Sequence, residues 1–172
     1  MDYRTSRQFK LDKDLNVSLG TRLANYLIDY VCVIVLMFAI LIGLMVFAAI
    51  IGSQELLDRI GNMNKIEEYG VAIVSILLYY NIFEIFFSRT IGKFITKTVV
   101  VNINGEKPDT QEILVRSLCR LIPFETFSFL GAPNKGWHDS ISKTYVVNKE
   151  LLEKKKELFY SVDEIGNNTN EL

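Results

Sequence analysis

Two long apolar runs, separated and flanked by polar segments, set the pattern of the chain. The first run extends from residue 19 to residue 51 and carries no charge from Tyr30 to Ile51, about 22 positions. A bilayer core of roughly 30 Å requires about 20 apolar residues in a helix. The second run, Gly70 to Phe87, has one charged residue, Glu84. The pattern predicts an all-α membrane protein with membrane helices at about residues 21–51 and 70–88.

Polar residues recur at helical spacing within both runs. Arg22, Asn25 and Asp29 are three and four residues apart, which places them on one helix face. Asn81 and Glu84 repeat the three-residue step in the second run. A charge inside a membrane helix costs at least about 2.5–3.5 kcal/mol, so each needs a partner or water. These five residues are the candidates for binding a ligand, a proton or an ion.

The distribution of cations predicts the orientation of the chain. The segment between the runs contains only Arg59 and Lys65, whereas cations cluster before and at the start of the first run, at Arg4, Arg7, Lys10, Lys13 and Arg22, and after the second, at Arg89, Lys93 and Lys97. Loops rich in Lys and Arg stay in the cytoplasm. We therefore expect an antiparallel helical hairpin in the cell (inner) membrane with both termini cytoplasmic. Asp29 and Glu84 would then lie in the same half of the membrane, where they can share a cation, a proton or an arginine.

The segments after the second run predict smaller elements. Thr98 to Ile103 is rich in β-branched residues and precedes an Asn104-Gly105 turn, which indicates a small cytoplasmic hairpin or an extended segment. Residues 110–130 are amphipathic, with Arg116 and Arg120 one turn apart. This segment predicts an interfacial or re-entrant third helix, and a tilted third span is the alternative; the sequence leaves open whether residues 113–132 span, re-enter or lie on the membrane.

The ends of the chain are polar. Residues 1–17 are predicted to form a mobile cytoplasmic arm, and residues 148–172 a charged cytoplasmic tail with a solvated helix and a disordered GNNTNEL end. The membrane domain is then residues 18–147.

Composition excludes several classes of function. A net charge of −1 gives no reason to expect a nucleic-acid partner. Cys32 and Cys119 have neither metal-ligand spacing nor a disulfide pattern, and His138 is the only histidine, so no metal or cofactor is predicted. No nucleophile, base and orienting group occur at a credible spacing. We do not expect an enzyme.

The polar positions resemble those of the RDD family of bacterial and archaeal membrane proteins, named for one arginine and two aspartates. Arg22 and Asp29 match the arginine and the first aspartate in the first helix, and Asp139 in GWHDSISKTYVV matches the second aspartate. The TIGK and VNINGEKP segments are also similar to the family. The resemblance covers residues 18–147 and implies transport of ions or other ligands.

The candidate residues allow more than one role. Asp29 and Glu84 form either a proton- or cation-binding pair or a docking device, in which Asp29 pairs with Arg22, Arg116 or Arg120 and Glu84 reaches the interface. Arg116 and Arg120 either bind lipid phosphate or snorkel, and His138 and Asp139 either relay protons or stabilise a turn. Trp137 is expected to anchor the interface.

Two hypotheses for function follow. The first is a subunit that moves a cation, proton or small ligand; it requires a homo-oligomer or other membrane subunits, because two helices cannot enclose a pathway. The second is an accessory or scaffold subunit whose polar helix faces bind another membrane protein. Lipid binding through Arg116 and Arg120 is a third option.

Overall fold

The structure is a computed structural model that describes residues 8–130 and 135–169. Seven α-helices and two short strands occur in the described residues. In chain order the elements are α1 (Leu19–Ile50), α2 (Gln54–Gly61), α3 (Lys65–Phe87), α4 (Ile91–Ile95), β1 (Thr98–Val101), α5 (Thr110–Cys119), α6 (Trp137–Ile141), β2 (Tyr145–Asn148) and α7 (Lys149–Thr169). Two 3₁₀ helices, Lys13–Leu15 and Glu125–Leu130, complete the fold.

The two predicted long helices are present and begin at side-chain caps. The Ser18 hydroxyl accepts a hydrogen bond from the Thr21 amide at the start of α1. Helix α3 starts at a capping box between Asn64 and Glu67, about one turn before the predicted start. Both helices are long and apolar enough to cross a membrane, and only 6 % of the most apolar 18 residues of α1 are buried by the rest of the chain. Their apolar faces therefore point outward, as lipid contact requires.

The β element is formed by distant segments. β1 pairs antiparallel with β2, with Val99 opposite Val147, and Asn16 adds an isolated bridge on the other side of Val147. Of the two alternatives for this segment, the local hairpin is therefore wrong, whereas the extended segment agrees with the strand at Thr98–Val101. The chain does turn at Gly105, whose φ is 70°, but Pro108 has no amide hydrogen for a returning strand, and the chain proceeds to α5.

Helix α5 packs against α3 and α6, with Ile113 and Arg116 almost fully buried. It has ten residues, too few to span a bilayer. The described residues contain no third candidate span. Residues 131–134, where the sequence left open an inserted turn, lie outside the described residues.

Residues 8–17 and 149–169, near the two ends of the chain, are more ordered than their polarity suggested. Phe9 and Leu15 are buried with Val101, Val147 and Leu152 in one apolar cluster, so the prediction of a mobile arm is wrong for residues 8–17. The tail helix α7 continues through Thr169, so the prediction of disorder is wrong up to that residue. Residues 1–7 and 170–172 lie outside the described residues.

Candidate functional site

Asp29 lies in a cradle of neutral hydrogen-bond donors. Its carboxylate accepts hydrogen bonds from the Tyr79 hydroxyl (2.7 Å), the Thr90 hydroxyl (2.6 Å) and the Gly92 amide (2.8 Å). The side chain is buried, and no ion pair among the described residues involves it. The predicted pairing of Asp29 with Arg22, Arg116 or Arg120 is therefore wrong. Three donors satisfy the ionised carboxylate without a cation.

Gly92 is required for this cradle because α4 crosses α1 at close range. A Cβ at Gly92 would lie 2.6 Å from the Asn25 carbonyl oxygen and 2.9 Å from Oδ1 of Asp29. Asn25 adds a second link between the elements: its Nδ2 donates to Thr98 at 3.2 Å, and its Oδ1 accepts from Thr96 at 2.5 Å. The polar face of α1 thus fixes the segment that follows α3.

Glu84 is the centre of a buried group of cations. Its carboxylate lies 2.7 Å from Nζ of Lys93, 3.0 Å from Nε of Arg116 and 3.3 Å from Nη2 of Arg120. Glu84 is fully buried, so the prediction that it reaches the interface is wrong. Burial lowers the pKa of Lys93, and the opposing charge of Glu84 does not fully offset this effect. Burial also acts to lower the pKa of Arg120, but Tyr80 and Glu84 outweigh it, so the pKa of Arg120 is raised.

The Asp29 cradle and the Glu84 group are parts of one network. Thr90, which donates to Asp29, also lies 3.4 Å from Nζ of Lys93, and Lys93 binds Glu84. Lys93 therefore connects the two membrane-helix carboxylates. Lys93 forms an ion pair with Glu84 alone and reaches Asp29 only through the Thr90 hydroxyl, so the predicted sharing of a cation, a proton or an arginine by the two carboxylates stays a prediction.

Asp139 joins three elements. Arg22 of α1 places Nη1 2.5 Å from its Oδ2, Arg116 of α5 also pairs with it, and His138 of α6 approaches it at 3.3 Å through Nε2. Burial opposes ionisation of Asp139, but the charges of Arg116, His138 and Arg22 outweigh it and hold the pKa of Asp139 well below its usual range. This residue is the partner of Arg22.

His138 connects Asp139 to a fourth carboxylate. Its Nδ1 contacts the Glu125 carboxylate, which also accepts the His138 backbone amide at 3.3 Å. Burial raises the pKa of Glu125, but the hydrogen bond and charge of His138 and the charge of Arg120 have the larger combined effect and lower it. The proton relay predicted for His138 and Asp139 stays a prediction; the contacts hold both side chains in place.

A cavity of about 40 Å³ lies among these groups. A single buried water needs about 10–15 Å³, so the space admits a small polar group. Three guanidinium nitrogens of its lining residues have neither a hydrogen-bond nor an ion-pair partner among the described residues: Arg22 Nε, Arg116 Nη2 and Arg120 Nε. Buried donors are rarely left unpaired. The lining residues are Arg22, Asn25, Tyr26, Asp29, Tyr80, Lys93, Arg116, Arg120, Glu125, His138 and Val146.

The side chains that line the cavity include more cations than carboxylates, but Glu84 and Asp139 pair with the same cations, so the network as a whole is balanced. The lining contains four cations and two carboxylates, Asp29 and Glu125, and both carboxylates already accept hydrogen bonds from neighbours. Glu84 and Asp139 contact the cations but do not line the cavity. Among the described residues, no group of three or more His, Cys, Asp or Glu side chains is placed to hold a metal ion.

The structure brings together most of the residues singled out in the sequence. Asn81 is the exception, because its buried Oδ1 has no partner in the described part of the chain. Arg116 is fully buried and Arg120 is 13 % exposed, so neither is an exposed cation that snorkels freely; the binding of lipid phosphate by these two residues stays a prediction. The sequence-based reasoning missed Lys93, Glu125 and the hydroxyl donors of the Asp29 cradle. The similarity of the TIGK segment, Thr90 to Lys93, to the RDD family was the one sequence signal that included any of these residues.

Comparison with known families identifies the chain. The model of the RDD family matches residues 17–143, which include every residue that lines the cavity except Val146. The chain belongs to the RDD family. Searches among curated proteins and among solved structures each gave no match. For this RDD-family chain, the family and the two apolar helices together indicate a membrane protein.

Proposed function

We propose that this chain is a membrane-embedded binding subunit for a small anionic ligand, which it holds in the guanidinium-lined cavity. The observation that carries the proposal is that three arginines lining the cavity each have one guanidinium nitrogen with neither a hydrogen-bond nor an ion-pair partner among the described residues. Guanidinium groups match carboxylate and phosphate oxygens in geometry as well as in charge. The distribution of cations along the chain favours an antiparallel hairpin with both termini in the cytoplasm, which places the cavity at the cytoplasmic side of the cell membrane.

The same contacts argue against a proton or a metal cation as the ligand. Asp29 accepts three hydrogen bonds and Glu84 is surrounded by three cations. A cation or a proton would have to displace those donors, because the carboxylate oxygens are already engaged by them. An anion instead uses donors that have no other partner.

Movement of the ligand across the membrane requires more than one copy or a partner subunit. Beyond Asp29, α1 carries no charged side chain, and α3 carries none between Tyr69 and Phe83. The cavity therefore serves one side of the membrane only. We propose binding as the property of a single chain, and transport as a property of a homo-oligomer or a larger complex.

The accessory-subunit hypothesis is favoured by a different observation. Only 6 % of the most apolar 18 residues of α1 are fully buried by the rest of the chain, so exposed apolar surface on this helix is free to contact another membrane protein. The polar helix faces, which this hypothesis assigned to a partner, are engaged inside the chain, at Asn25 with Thr98 and at Asp29 with Tyr79. An accessory role would therefore depend on apolar packing.

The first experiment measures anion binding by the purified chain in phosphatidylcholine nanodiscs. Inorganic phosphate, sulfate and acetate are titrated while thermal unfolding is followed, because a ligand at about 100 times its Kd stabilises a protein by about 2.7 kcal/mol. We expect at least one of these anions to raise the unfolding temperature of the wild type. The proposal fails if none of them has an effect beyond that of equal ionic strength.

Arg120→Gln and Arg120→Lys test the site itself. Arg120→Gln removes the guanidinium, which lies 3.3 Å from Glu84, and should abolish the stabilisation by the anion. Arg120→Lys keeps a positive charge but loses the Nε donor, so it should weaken that stabilisation. Arg89→Gln is the matched control, because Arg89 lies over the Phe94 ring and outside the cavity. Equal anion effects in all three variants would place binding elsewhere.

Flux and complex formation separate the two functions. In sealed vesicles, an oligomeric transporter should show anion flux that Arg120→Gln removes. An accessory subunit should show no flux in any variant and should recover the same membrane partners with wild type and Arg120→Gln.

A further inference from the structure

An apolar groove continues from the cavity along the membrane helices. It has a volume of about 320 Å³ and shares four lining residues with the cavity: Tyr26, Tyr80, Arg120 and Glu125. The other lining residues come from α1 and α3 and carry no charge: Tyr30, Val33, Ile34, Met37, Ala72 and Ile76. The two spaces thus adjoin, with cations at one end and hydrocarbon side chains along the rest.

The groove has the length of about one bilayer leaflet. Its α1 residues follow steps of three and four, and its α3 residues follow steps of four, so each set lies on one helix face. The rise of an α-helix, about 1.5 Å per residue, places Met37 roughly 16 Å along α1 from Tyr26. Half of a hydrocarbon core of about 30 Å is nearly the same distance.

The occupant of both spaces must be charged at one end only. A free inorganic anion would leave the groove unfilled, and a neutral chain would leave the guanidinium donors unpaired. We propose that the ligand is a single-chain anionic lipid, with a carboxylate or phosphate head in the cavity and its acyl chain between α1 and α3. This inference rests on the proposed function, since it names the class of anion that the cavity binds.

The charged residues where the cavity meets the groove, and the opening of the groove to lipid, both agree with such a ligand. Arg120 lines both spaces and is 13 % exposed, so it can contact a head group at the junction. The other charged residue at the junction, Glu125, is engaged by His138 through its side chain and backbone. Tyr30, further along the groove, is 54 % exposed on the outer surface of α1, so the groove is open to lipid from the side. The cavity of about 40 Å³ favours a small head over a bulky one.

The test compares three probes in phosphatidylcholine nanodiscs: dodecyl phosphate, inorganic phosphate as head alone, and dodecanol as tail alone. We expect dodecyl phosphate to bind at least tenfold more tightly than either of the others. Ala72→Phe fills the groove and should remove the advantage of dodecyl phosphate while leaving the affinity for inorganic phosphate unchanged. Ala39→Phe makes the same substitution at an exposed position of α1 outside the groove and should change neither affinity.

A second measurement locates the acyl chain of the ligand directly. A dodecyl phosphate with a diazirine at its terminal carbon should label peptides that contain Met37 or Ala72, and excess unlabelled dodecyl phosphate should prevent the labelling. This readout does not depend on a variant that could fold poorly. Labelling spread evenly over the lipid-facing surface of α1 would contradict the assignment of the groove.

The outcomes distinguish the two proposals. If inorganic phosphate and dodecyl phosphate bind equally, the lipid assignment is wrong and the anion site stands. If neither binds, both proposals are wrong. If dodecanol binds as tightly as dodecyl phosphate and Arg120→Gln changes neither, the groove takes hydrocarbon chains without regard to charge, and the inference is overturned.

Discussion

Energetic coupling between Arg22 and Asp139 is the most direct test of the charge network. These residues are 117 positions apart in the sequence, and their side chains are 6 % and 0 % exposed. Two unit charges about 4 Å apart interact by about 4 kcal/mol at an effective dielectric constant near 20. Removal of one partner from a buried pair typically costs about 3–5 kcal/mol, because the other charge stays buried.

The two single substitutions should differ in cost. Arg22→Gln leaves Asp139 with Arg116 and His138, so its cost should be near the lower value, about 3 kcal/mol. Asp139→Asn leaves Arg22 without a carboxylate and Arg116 with Glu84 alone, so its cost should approach about 5 kcal/mol. In the double variant the interaction is already absent, and the coupling energy should be about 1–3 kcal/mol.

The assay is unfolding by urea in neutral detergent micelles, followed by the fluorescence of Trp137. This is the only tryptophan in the chain, and it lies two residues from Asp139 in α6. Arg59 and Glu67 provide the matched control cycle, since they form a 3.3 Å pair with side chains 74 % and 32 % exposed. Exposed pairs contribute about 0–1 kcal/mol. A coupling energy for Arg22 and Asp139 no larger than that of the control would refute the reasoning.

Three further predictions concern the Asp29 cradle and the pH dependence of stability that Asp139 causes. Gly92→Ala should lower the free energy of unfolding by about 1–3 kcal/mol, because its Cβ would overlap the backbone of α1, whereas Gly70→Ala, with no neighbouring atom within 4 Å, should be neutral or stabilising. Tyr79→Phe should cost about 1.5–3 kcal/mol in the same assay, since it removes a hydrogen bond to the charged Asp29; no change would mean that the bond contributes nothing. The folded pKa of Asp139 lies below the unfolded value of about 3.9, so its contribution to stability should be complete above about pH 5 and be lost as the pH falls below about 4. This acid dependence should be weaker in Asp139→Asn, and an equal dependence in both proteins would contradict the assignment.

The membrane helices could be predicted because their signal is local. A run of about 20 apolar residues has few alternatives to a spanning helix, whatever the rest of the chain does. The polar positions inside the runs were also informative: Arg22, Asn25, Asp29 and Glu84 are all buried in the network. A charge that interrupts such a run needs a partner, and this argument depends on no other part of the sequence.

The same reasoning could not predict which residues bind these buried polar side chains. Arg22 and Asp29 are close in sequence and opposite in charge, but they belong to different parts of the network: Arg22 binds Asp139, and Asp29 binds Thr90 and the backbone of Gly92. Hydroxyl and backbone donors carry no charge pattern that a sequence reveals. The pairing of β1 with β2 was unpredictable for the same reason: the β-branched composition of each strand indicates a strand but does not identify its partner.

Residues that maintain the fold and residues that bind the ligand overlap in this site, and the contacts indicate where the two roles separate. Arg22 and Arg116 are committed to Asp139, so their substitution should unfold the chain before it reports on binding. Arg120 has a weaker ion pair: its contact with Glu84 is 3.3 Å long, and Glu84 keeps Lys93 at 2.7 Å when Arg120 is removed, although the stacking of Arg120 on the Tyr80 ring is then lost. An anion that occupies the spare donors need not break any ion pair, so folding need not depend on the ligand. Arg120 is therefore the position at which affinity should change with little change in stability.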